Sequence, residues 1–167
     1  MLFHFVKLVL LFIFATVCHW AFLSLFVLWG LSVNMLLVFS IAVSAFCKPQ
    51  TGYTFAFFCG LFLDFFSTKL FGYNAFSFTL ASLIVYSVSE RLDFESFFPQ
   101  MFTTFTLTIL VNVLNNMLVV LFTAGSIWAG WFHITVGALV TTIVSPLVFR
   151  LVSWLSGNKQ YGVNSRY

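Results

Sequence analysis

The stretch GLFLDFFSTKLFGYNAF, residues 60–76, places one carboxylate, Asp64, inside an otherwise apolar run. The chain has four acidic residues, and the other three, Glu90, Asp93 and Glu95, share one polar segment, SERLDFESF, residues 89–97. Asp64 alone stands where hydrocarbon should surround it. With STKLFG (67–72) as a turn, the stretch folds as a hairpin of two antiparallel helices. Asp64 and Asn74 each lie five residues from Lys69 and so reach similar depth. The Asn74 amide can then donate to the Asp64 carboxylate, and Lys69 can reach back toward it.

The surroundings of the hairpin set its solvent. Of 167 residues, 62% are hydrophobic and 7% charged, and the mean hydropathy is +1.09. A water-soluble domain of this length needs far more charge on its surface. Apolar runs of about 18 residues or more read as membrane spans. These runs are continuous and do not alternate, which excludes porin-type strands and leaves α-helices to satisfy the backbone in lipid. The expected fold is an all-α integral membrane protein, a six-helix transmembrane bundle. Residues 1–155 form a single transmembrane domain, and residues 156–167 a short polar cytoplasmic tail.

The spans are expected at about 5–28, 31–46, 52–66, 71–89, 99–123 and 131–154. The first ends at Trp29-Gly30 and is read as a retained span, since no small-x-small cleavage site follows it. CKPQTG (47–52) stops the second, AGSIWAG (124–130) turns the chain after the fifth, and Pro146 should kink the sixth. With six spans, Lys7, Lys48, Arg91, Arg150, Lys159 and Arg166 share one side of the membrane, and only Lys69 lies on the other. That bias predicts cytoplasmic termini. Four of the five tryptophans lie near span ends, as an interfacial belt requires.

Gly52, Ala56, Gly60 and Asp64 recur every four residues and share one helix face. Small residues at that spacing let a second helix approach closely. That helix is either a partner's or the chain's own fifth or sixth span. For Asp64 three readings stand: a structural lock on the hairpin, a partner contact, or a proton or ion relay. A second polar stripe runs along the fifth span through Thr104, Thr108, Asn112, Asn115 and Asn116. Its amides need protein or water partners, as a polar core of the bundle, a binding cavity or a seat for a partner helix. Gly137, Thr141 and Ser145 give the sixth span a matching small-residue face, and His133 is expected at an interface. SERLDFESF is a solvated cytoplasmic loop or a docking site for a cytoplasmic partner.

No catalytic constellation appears: there is no nucleophile–base–acid set, no HExxH and no glycine-rich phosphate loop. Cys18, Cys47 and Cys59 lack metal-ligand spacing. The modest basic excess follows the orientation rule and makes no case for nucleic acid. The expectation is a protein that is not an enzyme and holds no cofactor or metal.

The run GLFLDFFSTKLFGYNAFS, residues 60–77, resembles the hallmark stretch of the MreD family, rod shape-determining membrane proteins. The matching positions are Gly60, Leu61, Leu63, Asp64, Gly72, Asn74 and Ala75. The lead-in AVSAFCKPQTGYTFAFFCG (42–60) and the chain length are also similar, and phenylalanine stands where leucine is usual in the family. The resemblance implies a non-enzymatic scaffold of the cell-wall elongation machinery (the elongasome) in the bacterial inner membrane. It implies binding to MreC and, indirectly, work with MreB, RodA and its class B transpeptidase partner. It also implies an S-component-like topology, so a substrate-binding S-component of an energy-coupling-factor vitamin transporter is the competing expectation.

Overall fold

The computed structural model describes residues 2–26, 33–67, 71–89, 94, 96–122 and 131–156. Most of these are helical, with no strand among the described residues. Six helices follow one another: α1 (Leu2–Phe26), α2 (Met35–Phe46), α3 (Pro49–Phe66), α4 (Tyr73–Ser89), α5 (Phe97–Phe122) and α6 (Trp131–Ser156). Lys69, the charged residues of SERLDFESF, the AGSIWAG turn, the side chain of His133 and the tail beyond Ser156 lie outside the described residues.

The helix at the centre is the shortest. Twelve residues make α2, about 18 Å of helix, against a hydrocarbon core of about 30 Å. Every one of its residues is buried. It packs against α1, α3, α4, α5 and α6, a setting in which a helix apolar all round exposes nothing to water. Asn34 starts it, its side chain accepting from the Leu37 N–H at 3.4 Å. Only Ser40 and Ser44 interrupt the apolar run. Their hydroxyls donate back to Leu36 O and Ser40 O, so neither is left unpaired in the core.

The other helices surround α2. The most extensive pairings are α3 with α4, α5 with α6 and α2 with α3. Among the described side chains of α1, Leu11, Ala15 and His19 are buried, one residue per turn facing inward. Edge-on contacts of Phe12 with Phe55 and Phe62 tie α1 to α3. α6 runs on through Pro146. A proline there cannot donate to the Thr142 carbonyl, and the Ser145 hydroxyl donates to it instead at 2.8 Å.

Outward, the surface is apolar. Phe98, Phe102, Phe132, Ile143, Leu147 and Trp154 are each more than two-thirds exposed, which water would penalise and lipid would not. Among the described residues three segments are long and apolar enough to cross a membrane: Val6–Leu25, Phe97–Phe122 and Ile134–Ser156. The remaining three helices are shorter.

Candidate functional site: the α3–α4 junction and the cavity beside it

The Asp64 carboxylate is buried, 2% exposed, and it grips the start of α4. Its Oδ1 accepts from the backbone N–H of Asn74 at 3.1 Å, and its Oδ2 from the backbone N–H of Ala75 at 3.0 Å. A helix begins with four N–H groups that have no partner within it. A capping side chain on the preceding residue normally satisfies one or two. Here that residue is Gly72, which has no side chain. Its φ of +93° sets the turn into α4 in a region that glycine enters freely. The cap therefore comes from Asp64, ten residues back on another helix. Both carboxylate oxygens are used, and they sit at the positive end of the α4 dipole.

Reaching those amides demands close approach of the two backbones, and Gly60 permits it. A Cβ on Gly60 would lie 2.5 Å from Ala75 Cα and 2.6 Å from Ala75 N. One turn after Gly60, Asp64 then meets the N–H groups head-on. Gly52, two turns earlier, faces α2, where a Cβ would lie 3.0 Å from Ser44 Cα. Ser44 in turn shares a hydrogen bond of 2.6 Å with Ser82 of α4. Ala56, between the two glycines, is fully buried.

Two expectations change here. The amide of Asn74 that meets Asp64 is the main-chain N–H, because the orphaned groups at a helix start lie along its axis. The Asn74 side chain turns elsewhere, its Oδ1 accepting from Asn115 Nδ2 at 3.0 Å. The Gly52–Ala56–Gly60 face is not an open seat for a partner, nor does it pack on the fifth or sixth helix. At both glycines the chain's own α2 and α4 take the space a side chain would need.

From the junction the polar contacts pass to α5. Ser77 Oγ donates to Asn115 Oδ1, so Asn115 bridges two residues of α4. Asn116 Nδ2 donates to the Asn112 carbonyl at 2.8 Å. On the preceding turns Thr104 and Thr108 are buried, whereas Asn112, Asn115 and Asn116 are half-buried. The reason is a cavity of about 440 Å³ against which the three asparagines stand, together with Asn34, Asn74 and His19. It lies at one end of the bundle, where α1, α3 and α5 near their last turns and α2 and α4 begin.

His19 and Asn34 escape a reading of the sequence alone. For His19 the signal is its place two turns after Leu11 on the stripe through the small Ala15. Asn34 is marked by the capping preference of asparagine ahead of an apolar run. On the sixth helix Gly137, Thr141 and Ser145 are all buried.

Compared with known proteins, the chain matches no family model, no curated protein and no solved structure.

Proposed function

We propose that this chain is a non-enzymatic membrane scaffold of the bacterial cell-wall elongation machinery, of the MreD kind, which binds MreC and supports rod shape. One observation carries the reading. Gly60, Asp64, Gly72, Asn74 and Ala75, five of the seven positions by which the chain resembles MreD, meet in a single interlocked junction. A motif whose residues serve one close approach and one helix cap reads as architecture rather than chemistry.

In this proposal the six helices form one bundle in the inner membrane with both termini cytoplasmic. MreC engages the lipid-facing exterior, because the small-residue face is already filled from within. MreB, RodA and its transpeptidase partner are reached through MreC. The test is copurification with tagged MreC from native membranes. Recovery of this chain in stable proportion to MreC is the expected result. Failure to copurify, with the chain folded and in the membrane, would overturn the proposal. Recovery with an ATP-driven transport module would favour a substrate-binding S-component instead.

A further inference from the structure

The cavity beside the junction has a lining that packing alone does not account for. Five asparagines from three helices stand around one space: Asn34 from the start of α2, Asn74 from α4, and Asn112, Asn115 and Asn116 from α5. Buried amides pair with protein or with ordered water, and here several amide groups have no protein partner among the described residues. Asn112's side chain makes no hydrogen bond among the described residues, and the Nδ2 of Asn34 and of Asn74 and the Oδ1 of Asn116 likewise have no partner there. A second, independent sign comes from α1. His19 lines the same cavity and is only 7% exposed. Its Nδ1 is buried with no hydrogen-bond partner. A buried polar atom without a partner is rare in a folded protein, and it marks this side of the cavity as polar.

The chemistry of the lining selects the ligand. The described lining holds no Lys, Arg, Asp or Glu, so none of these residues offers a counter-charge to a phosphate, carboxylate or ammonium. A primary amide offers one acceptor and two donors in a plane. Several amides facing one space match a ligand whose neighbouring groups both donate and accept. Trp20, Tyr73 and Phe66 stand at the same cavity, giving aromatic surface against which the C–H face of a ring can lie. Pockets that bind small molecules combine these two features, an aromatic wall and a few convergent polar groups, and 440 Å³ falls within the usual range of about 300–1,000 Å³.

We propose that this cavity binds an uncharged glycosyl group, one or two sugar rings in size, held by the asparagine amides and His19 and stacked on the aromatic wall. The group is either a free sugar or the neutral sugar headgroup of a membrane lipid. The site rests on the cavity geometry alone and is compatible with both a scaffold and an S-component.

The test uses the full chain in nanodiscs, purified without glycoside detergents. Binding is followed by native mass spectrometry and by tryptophan fluorescence against the Trp20→Phe variant. The probes are glucose, N-acetylglucosamine and maltose in solution, and monoglucosyl-diacylglycerol or phosphatidylglycerol in the disc. The expected result is saturable binding of a neutral sugar probe that exceeds phosphatidylglycerol at least tenfold. Asn112→Ala removes an amide that makes no hydrogen bond among the described residues. It should leave the melting temperature unchanged and weaken binding by about tenfold, the equivalent of one or two hydrogen bonds. Binding of the glucolipid alone identifies a membrane source, and binding of free sugars a soluble one. The proposal is overturned if no neutral sugar probe binds the folded wild-type protein, or if phosphatidylglycerol binds equally well. Binding that ignores Asn112→Ala in a folded protein also overturns it. Should that variant fold poorly, the probe panel on the wild-type chain still decides.

Discussion

Gly60 lies so close to Ala75 that a methyl group on it would sit 2.5 Å from the Ala75 Cα. The obstacle is backbone, not a side chain that could swing away, so any side chain at residue 60 must push α3 and α4 apart. Gly60→Ala should therefore destabilise the chain by about 1–3 kcal/mol through overpacking alone. It should also lengthen the bonds from Asp64 to α4. The check is the melting temperature in detergent beside membrane yield. An unchanged melting temperature would mean that the helices do not approach this closely.

Asp64→Ala leaves two buried N–H groups at the start of α4 without acceptors. Hydrogen bonds whose loss leaves a buried donor unsatisfied are worth about 1–3 kcal/mol each. Their loss is partly offset because a buried carboxylate no longer has to be desolvated. A net loss of about 2–4 kcal/mol is expected, read as reduced folded yield. Asp64→Asn should fall between wild type and alanine. Its single acceptor can serve one amide, while its NH₂ group faces the other donor. Equal stability of Asp64→Asn and wild type would show that the second bond contributes nothing.

Asn115 receives from Ser77 and donates to Asn74, which makes it the polar tie between α4 and α5. Asn115→Leu should cost about 1–3 kcal/mol, and Asn115→Ser less. Because Asn112 makes no comparable bond among the described residues, Asn112→Ala should leave stability unchanged. A thermal-melt series over the three variants checks that order. Equal losses for Asn112→Ala and Asn115→Leu would contradict the assignment of the tie.

How far the sequence reveals this arrangement can be judged residue by residue. The all-helical class is legible because continuous apolar runs leave no other way to satisfy the backbone in lipid. That Asp64 and Asn74 meet is legible from their equal distance from Lys69. The donor that meets Asp64 is not, because the sequence shows side chains and the orphaned groups belong to the backbone. A glycine at residue 72, just ahead of α4, was the available clue, since a helix start without its own cap needs an acceptor from elsewhere. The stripe of Gly52, Ala56 and Gly60 is legible as a close-packing face. Its partner is hidden, since spacing fixes which residues share a face but not which helix covers it. The apolar run of α2 conceals its burial for a similar reason: a helix enclosed by protein and one facing lipid are equally apolar. The cavity depends on His19, Asn34 and Asn112, which are far apart in the chain and meet only through the arrangement of α1, α2 and α5.

The account depends most on the carboxylate of one helix capping the next. Backbone amide exchange at Asn74 and Ala75, followed by NMR in wild type and Asp64→Ala under conditions where both are folded, tests it directly. Capped N–H groups exchange slowly, and uncapped ones at a helix start exchange as frayed ends do. Protection at these two amides is predicted in the wild type, with a loss of about tenfold or more in Asp64→Ala and little change at Val85, deep in α4. Equal protection of Asn74 and Ala75 in the two proteins would contradict it.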